Sequence, residues 1–251
     1  RLFGRMAAGA ALTAAGAKLR EGAERIEAEV LRLEASVSHA SEKVEGNVRV
    51  GAPDGFGTLF LAARFVPLIE AHDRLDVQLV PLPRSFSLSK REVDVAITVE
   101  RPSEGRLTVR KLTDYTLSLY AARDYLAKAP PLRSRQDLRQ HRFVSYVPDL
   151  LFAQTLDVRA ELGIAGAREF QCASVLGQLQ SVASGMGLGL LHDYAIDKSS
   201  GLELVLPKIR FTRTYWIVSH SDVVVAQSVR AVHDFIVSIT RASRHAFVRR
   251  P

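Results

Sequence analysis

The chain contains little cysteine and no long apolar run. Cys172 is the single cysteine among 251 residues, which excludes an internal disulfide and a zinc cluster built from cysteines. The longest apolar runs are far shorter than the ~18 residues that a membrane-spanning helix requires. Residues 1–19 also lack a compact apolar region followed by a cleavage site, which argues against a secretory signal. We therefore expect a cytoplasmic protein without a membrane segment.

Signatures of catalysis are missing as well. The 7 histidines include no H-E-x-x-H pair and no cluster with acidic ligands, so we expect no metal site. There is no G-x-S-x-G nucleophile elbow. The glycines of GMGLGLL (185–191) follow a predicted helix and lead into a strand, whereas a dinucleotide loop has the opposite order. We expect them to form a tight helix C-terminus, and we predict neither a cofactor nor enzymatic activity.

The charge balance is basic. The chain has 34 lysines and arginines against 27 acidic residues, with a formal net charge of +7 and a pI of about 9.8. Such an excess fits a polyanionic partner such as nucleic acid, although many soluble proteins are equally basic. Basic residues crowd both ends of the chain: Arg1, Arg5, Lys18, Arg20, Arg241, Arg244, Arg249 and Arg250. The tail after Thr240 is basic and poorly patterned, so we expect it to be frayed.

A long amphipathic helix is predicted over 13–42. Thr13 is a suitable N-cap, and good helix formers follow it. The apolar positions alternate in spacings of four and three, the heptad pattern of a coiled-coil seam. They are Leu19, Ala23, Ile26, Val30, Leu33, Val37 and Ala40. Charged residues cover the other faces, so we predict a dimerisation helix; the alternative is a helix that packs on its own domain.

After residue 45 the pattern changes to alternating strands and helices. Gly46-Asn47 marks the turn between the two regions. Strands are predicted at 48–50, 76–83, 93–98, 107–112, 116–121, 143–146, 169–173, 187–191 and 214–219. Helices are predicted at 58–71, 174–185 and 225–239. This order predicts parallel-rich α/β sheets, and the 47% hydrophobic fraction supports one or two packed domains.

Six segments resemble one protein family, in the family's order. The opening RLFGRMAAGAALTAAGAKL resembles the end of the winged helix-turn-helix of LysR-type transcriptional regulators, which commonly has an R-L-F-x-R turn followed by L-T-x-A-G. The other segments are NVRVGAPDGFGTLFLAARFVPLIEAH, EVDVAI, LYAARDYLAKAPPLRSRQDLRQHRFVSY, VASGMGLGLLHDYAI and YWIVSHSDVVVAQSVRAVHDFI. Together they cover nearly the whole chain.

The resemblance implies an α/β fold of two Rossmann-like subdomains, similar to type 2 periplasmic solute-binding proteins. Effector-binding subdomain I would comprise 46–112 plus 222–245, and subdomain II would comprise 113–221. A wing remnant at 1–12 and the linker helix would precede them. The family's recognition helix is expected before Arg1, so no base-reading residue is named. Arg1, Arg5 and Lys18 are expected to contact DNA phosphate; the alternative is solvated surface charge.

The function that this resemblance implies is transcription regulation. The partners of a homodimer or homotetramer would be double-stranded promoter DNA and a small-molecule effector. The effector would favour one arrangement of the two subdomains, and such couplings require only ~1–3 kcal/mol. The alternative is a stand-alone periplasmic-type small-molecule binding protein, which predicts an export signal and no heptad helix. An enzyme is the least favoured class.

Candidate effector-binding residues follow the carboxyl ends of strands, where ligands bind in open α/β sheets. Two helix N-termini are candidates for binding an anion. One has Phe56, Gly57 and Thr58, and the other has Ser174 and Val175. Gly55 and Gly57 would permit close backbone approach. If the two helix ends face each other, a small carboxylate or polar metabolite would bridge them; simple helix capping is the alternative role of Thr58 and Ser174.

Further candidates lie at other strand ends: Arg84, Phe86, Thr98, Glu100, Tyr146, His192 and Asp193. A carboxylate at Glu100 would disfavour an anionic effector unless Arg84 or His192 offsets it, and would instead favour an amine or a hydroxyl. Aromatic side chains at Phe56, Phe86 and Tyr146 would suit a ring-bearing effector. Each candidate has an alternative role, either in a solvated loop or in closing the core.

Overall fold

Among the residues that the structure describes, nine strands form one sheet, and two more form a separate two-stranded sheet near the N-terminus. The computed structural model describes residues 1–6, 9–19, 22, 23, 26, 30, 44–82, 84, 92–103, 107–164, 166–197, 199–220 and 226–248. The strands are β1 (Phe3–Met6), β2 (Gly9–Leu12), β3 (Gly46–Ala52), β4 (Leu75–Pro81), β5 (Val95–Thr98), β6 (Leu107–Ala122), β7 (Phe143–Ser145), β8 (Glu169–Gln171), β9 (Leu188–His192), β10 (Leu202–Leu204) and β11 (Arg210–His220). Their order across the large sheet is β4-β3-β5-β11-β6-β9-β7-β8, and β10 pairs with β6.

The two ends of the large sheet are parallel, and its middle is antiparallel. At one end, which we call the β3 end, β3 pairs in parallel with β4 and β5. At the other, the β7 end, β7 pairs in parallel with β8 and β9. The long strands β6 and β11 run antiparallel to each other between these ends. The predicted α/β class is confirmed.

The two strands predicted at 107–112 and 116–121 are one continuous strand, β6, which corrects the prediction. Its partner β11 pairs with both pieces, from Leu107 to Ser118, with one register shift between Tyr215 and Trp216. Every residue from Tyr115 to Ala122 is buried. A strand covered on both faces loses the alternation of apolar and polar residues that reveals an exposed strand, so the sequence pattern did not show that the two pieces join.

After residue 44 the described α-helices are α1 (Asp54–Phe56), α2 (Val66–Ala71), α3 (Arg123–Leu126), α4 (Arg159–Leu162), α5 (Val175–Ala183), α6 (Gln227–Ala242) and α7 (Arg244–Phe247). α1 continues as a π-helical turn (Gly57–Leu61) and a 3-10 turn (Ala62–Arg64). The predicted helix at 58–71 therefore begins earlier, at Asp54, because the Gly57 N–H already donates to the Pro53 carbonyl at 2.8 Å. Within the described part of the chain, no helix is long and apolar enough to cross a membrane.

α5 ends in the tight turn that the glycines of GMGLGLL predicted. Gly185 has a positive φ of 81°, a conformation that glycine adopts without steric cost. Its N–H donates to the Val182 carbonyl, and the Met186 N–H donates to the Ser181 carbonyl, both at 3.0 Å. This pair of bonds is the Schellman arrangement that terminates helices, and it sends the chain directly into β9.

As far as Val248, the last residue that the structure describes, the C-terminal tail is packed, so the expectation that it frays after Thr240 is wrong for residues 241–248. α6 continues to Ala242, and α7 follows it. Phe247 in α7 is 0% exposed, and its ring centroid lies 4.7 Å from that of Phe60. One buried aromatic side chain therefore anchors a segment whose other residues are mostly basic or small.

The N-terminal segment forms a β-hairpin followed by a helix. β1 and β2 pair antiparallel, and residues 14–19 are helical. The Gly16 N–H donates to Thr13 Oγ1 at 3.1 Å, which confirms Thr13 as the N-cap. Arg1 and Lys18 are exposed, whereas the Arg5 side chain lies outside the described residues.

The predicted seam of this helix is described only in part. Its described apolar side chains are exposed in the single chain, with Leu19 at 57%, Ile26 at 69% and Val30 at 48%. Ala23 is exposed as well, and Leu33 and Val37 lie outside the described residues. The dimerisation role of this stripe therefore stays a prediction.

Candidate functional site

Asp54 lies where the β3 end and the β7 end of the sheet come into contact. It is the first residue of α1, directly after β3 and Pro53. Ser174 caps the N-terminus of α5, which follows β8. A single carboxylate oxygen of Asp54, Oδ2, accepts hydrogen bonds from the Ser174 hydroxyl at 2.9 Å and from the Val175 N–H at 2.7 Å. Asp54 is 5% exposed, so water hardly competes for these bonds.

A carboxylate therefore occupies the place predicted for a ligand carboxylate, but it belongs to the protein. The start of α5 attracts an anion because the first N–H groups of a helix lack partners and carry partial positive charge. Asp54 was not among the predicted site residues. An acidic residue in the first turn of a helix is visible in the sequence, but its partner lies 120 positions away. No local pattern connects the two.

Gly55 and Gly57 permit close approach, as predicted, and the approaching groups belong to the protein. A Cβ atom added at Gly55 would lie 2.9 Å from Cγ1 of Val175. One added at Gly57 would lie 2.6 Å from Cβ of Pro81 in β4. Both distances are shorter than an ordinary carbon–carbon contact. The two glycines therefore allow the α1 region to pack against α5 and against β4.

Phe56 and Thr58, both predicted to contact the effector, have different surroundings. Phe56 is 0% exposed, and its ring packs 4.7 Å from that of Tyr215. Because this side chain belongs to the core, the predicted effector contact by Phe56 has no support in this arrangement. Thr58 is exposed and lies within the π-helical turn, so it does not cap the helix.

Glu100 makes a second contact between segments that follow different strands. Its Oε1 accepts hydrogen bonds from the N–H and the hydroxyl of Thr155, each at 3.2 Å. The Thr98 hydroxyl donates to the Glu100 carbonyl at 2.7 Å. Thr155 belongs to a 3-10 turn (Gln154–Leu156) after β7. Glu100 is exposed, so water screens this contact more than that of Asp54.

Four tyrosines form a polar aromatic cluster near Asp54: Tyr115, Tyr146, Tyr194 and Tyr215. The Tyr115 and Tyr215 rings stack with centroids 4.0 Å apart, and the Tyr194 and Tyr215 hydroxyls lie 2.9 Å apart. Burial, followed by the Asp54 carboxylate, raises the pKa of Tyr146 well above its usual value. Burial also raises the pKa of Tyr194. These phenols therefore stay protonated near neutral pH and remain hydrogen-bond donors.

His192 is buried and uncharged. It is 6% exposed, and its ring stacks 5.3 Å from that of Tyr115. Burial lowers the pKa of His192 to about 4, although the neighbouring Asp193 carboxylate acts in the opposite direction. At neutral pH the imidazole carries no positive charge. It therefore does not offset the charge of Glu100, a role that the sequence had left open.

Asp193 is bound by three hydroxyl groups of β6. Its carboxylate accepts hydrogen bonds from Thr116, from Ser118 at 3.1 Å and from Tyr120 at 2.7 Å. Asp193 is 9% exposed. These bonds hold the 3-10 turn that starts at Asp193 against β6, so the predicted effector contact by Asp193 has no support in this arrangement.

Tyr146 lines a small cavity of about 40 Å³, together with Gln178, His192 and mainly apolar side chains. The phenol of Tyr146, the amide of Gln178 and the imidazole of His192 are polar groups on this otherwise apolar lining. Arg159 also lines the cavity and is paired with Asp157 at 2.7 Å.

Two predicted residues remain, Arg84 and Phe86. Arg84 is exposed, and its Nη1 lies 2.9 Å from Glu92 Oε2. Phe86 lies outside the described residues. Across the described ranges, no group of three or more His, Cys, Asp or Glu residues could hold a metal ion.

Comparison with known proteins identifies the family. Residues 41–240 match the LysR substrate binding domain. The chain belongs to the LysR family. This LysR protein is 25% identical over 250 residues to the HTH-type transcriptional activator TtdR of Escherichia coli K12, an alignment that covers 94% of this chain and 78% of TtdR. It is 24% identical over 236 residues to the HTH-type transcriptional regulator CrgA of Neisseria meningitidis serogroup C, covering 90% and 78% of the two chains.

Solved LysR-type structures share the fold. CrgA of Neisseria meningitidis superposes with a TM-score of 0.68 at 23% identity, covering 96% of this chain and 84% of CrgA. AphB, a virulence activator of Vibrio cholerae, gives a TM-score of 0.65 at 18% identity, with 95% and 83% covered. These neighbours confirm the predicted type 2 periplasmic-binding-like fold. The family match and the regulator relatives confirm the prediction of a transcriptional regulator with an effector-binding domain.

Proposed function

We propose that this LysR protein binds a small-molecule effector between the β3 end and the β7 end of its sheet and thereby alters transcription from promoter DNA. The proposed subdomains are 46–112 plus 222–245 and 113–221, preceded by a wing segment (1–12) and a linker helix (13–42). The observation that carries the proposal is the contact of Asp54 with Ser174 and Val175. It joins helices that follow strands at opposite ends of the sheet.

A ligand that makes or breaks this contact would favour one arrangement of the two ends. The free energy available is the difference in ligand affinity between the open and the closed arrangement. Asp54 and Glu100 both reach from the β3 end to segments that follow strands of the β7 end. Loss of a few such bonds matches the ~1–3 kcal/mol typical of allosteric coupling.

The proposed effector contacts are the predicted residues that remain once those serving the packing of the fold are set aside. They are Gly57, Thr58, Arg84, Phe86, Thr98, Glu100, Tyr146, Ser174, Val175 and His192. Asp54 is added to this set. Phe56 and Asp193 are omitted because their side chains serve the packing of the fold.

The proposed macromolecular partners are double-stranded promoter DNA and further copies of the chain. Arg1, Arg5 and Lys18 are proposed to contact phosphate, which positions a protein without reading sequence. The apolar stripe from Leu19 to Val37 is proposed to pair two chains in a homodimer or homotetramer. Because such a regulator acts on the chromosome, we place it in the cytoplasm.

Deletion of the gene in its host, combined with mapping of cross-linked DNA, tests the regulator function. Transcription should change at a few promoters, and the protein should cross-link upstream of them. If no transcript changes and no site is enriched over an untagged strain, the proposal fails. Duplex binding by the purified protein should weaken steeply as salt concentration rises.

Light scattering tests the seam. Ile26→Lys should lower the measured molar mass, because a charged side chain disrupts an apolar seam. The matched change Ile69→Lys, at an exposed position on α2, should leave the mass unchanged. Equal masses for Ile26→Lys and the unaltered protein would contradict pairing through this helix.

A further inference from the structure

The N-terminus of α5 is already neutralised by the protein. α5 has 9 residues, and its Val175 N–H donates to Asp54 Oδ2 while its Gly177 N–H donates to Ser174 Oγ. A helix N-terminus carries only about half a positive charge, which one carboxylate more than balances. A carboxylate on a ligand would meet Asp54 within a few ångströms, and two like charges at that distance disfavour each other strongly.

Asp54 has little freedom to move aside. Its side chain is 5% exposed, and the following residue, Gly55, lies against Val175. Displacing the carboxylate from Ser174 and Val175 within this conformation would leave it buried without donors, which is unfavourable for a charged group. An anionic ligand therefore has to open the site before it gains any interaction with α5.

The two oxygens of this carboxylate differ in their hydrogen bonds. Both hydrogen bonds end on Oδ2, and no residue in the described part of the chain donates to Oδ1. Besides burial, the negative charge of Asp54 helps to raise the pKa of two members of the aromatic cluster, Tyr146 and Tyr194. Aromatic faces next to a carboxylate are typical surroundings for a bound ammonium group.

A second carboxylate, that of Glu100, lies at the same edge of the sheet. β3 and β5 are parallel neighbours, so Asp54 and Glu100 both follow carboxyl ends of adjacent strands. His192 is buried and uncharged, and Arg84 is paired with Glu92. Neither Arg84 nor His192 therefore offsets the charge of these two carboxylates.

We propose that Asp54 determines the effector class: it excludes carboxylates from the N-terminus of α5 and selects ligands with a protonated amine or another strong hydrogen-bond donor for Oδ1. This inference rests on the proposed effector site and deepens it. Asp54 acts as a built-in ligand of α5 in the closed arrangement, and the incoming donor group completes the hydrogen bonding of its second oxygen.

Thermal unfolding with two matched pairs of probes tests the proposal. The pairs are 1,4-diaminobutane with succinate and phenylethylamine with phenylacetate, each titrated at constant ionic strength into the unaltered protein and into Asp54→Ser. Within each pair the amine should stabilise the unaltered protein more than the carboxylate does. In Asp54→Ser the order should reverse, with the succinate midpoint lowered at least about tenfold, because the repelling charge is gone and the helix N–H groups are free.

Two further variants keep the test decisive. Asp73→Ser removes the same charge from an exposed turn and should leave the order of the probes unchanged. Asp54→Asn serves if Asp54→Ser does not fold. The proposal is overturned if the unaltered protein binds succinate as tightly as the Asp54 variants do, or if those variants gain no anion binding. Because no DNA is present, this failure is distinct from a failure of the cross-linking experiment.

Discussion

Asp54 and Asp193 are two buried aspartates that differ in how completely their oxygens are hydrogen-bonded. Asp193 accepts hydrogen bonds from three hydroxyl groups of the neighbouring strand β6, two on Oδ2 and one on Oδ1. Asp54 accepts two bonds on one oxygen, from a helix 120 positions away in sequence. A carboxylate that accepts hydrogen bonds on both oxygens, such as Asp193, stabilises one part of the fold. A carboxylate that joins two parts of the fold through one oxygen, such as Asp54, leaves its other oxygen as an acceptor for a ligand.

The sharpest test of this contrast compares the two aspartates by removal. Asp193→Ala should lower the free energy of unfolding by about 4 kcal/mol, because three buried hydroxyls lose a charged acceptor. Asp54→Ala should lower it by only about 2 kcal/mol, since two bonds to a helix end are lost. Urea denaturation measures both values. A larger loss for Asp54 than for Asp193 would break the distinction.

Lowering the pH should reduce the stability of the folded protein through His192, the neighbour of Asp193. Burial holds the pKa of His192 at about 4 in the folded protein, against 6.5 for a free histidine. The unfolded chain therefore binds a proton below pH 6.5 that the folded protein refuses until about pH 4, so stability falls as pH decreases across that window. The loss is on the order of 3 kcal/mol. Stability measured from pH 7 to pH 4 should fall less in His192→Phe; an equal fall would contradict the burial of His192.

The close approach of α1 to α5 predicts the effect of a single methyl group. Gly55→Ala should destabilise the protein by about 2 kcal/mol, because the new Cβ would lie 2.9 Å from Val175 and one helix start must shift. Gly22→Ala is the matched control, since a Cβ there meets nothing within 4 Å. Thermal unfolding should separate the two. Equal melting temperatures for the two variants would show that α1 and α5 can move apart without loss of stability.

The smallest expected effect concerns Glu100. Glu100→Gln should cost less than about 1 kcal/mol, because the residue is exposed and its two bonds to Thr155 are 3.2 Å long in contact with water. Urea denaturation of Glu100→Gln and of Asp54→Ala gives the ranking of the two losses directly. A loss larger than that of Asp54→Ala would make Glu100 the principal link between the two ends.

Features written in local sequence were predictable. Ser174 and Thr13 are capping residues at helix starts, and both accept the expected backbone N–H. Gly185 supplies the positive φ at the end of α5. Each of these depends on neighbours within a few positions, so the residue types alone identify them.

The features that the sequence did not reveal depend on distant partners. Asp54 was missed because its partner Ser174, at the start of α5, lies 120 positions away. Asp193 was predicted to contact the effector because the hydroxyl groups that bind it lie 73 to 77 positions away. Phe247 was placed in a frayed tail, since one apolar residue among basic ones shows no periodicity. The start of α1 was placed too late because Gly55 and Gly57 resemble loop residues until their close packing is known.

Amide hydrogen exchange at Val175 tests the central claim most directly. Its N–H donates to a buried carboxylate at 2.7 Å, so it should exchange slowly in the unaltered protein. In Asp54→Ala exchange should accelerate at least about tenfold, whereas in Asp193→Asn the rate at Val175 should stay unchanged. Fast exchange in the unaltered protein, or the same rate in Asp54→Ala, would contradict the bridge between the two ends of the sheet.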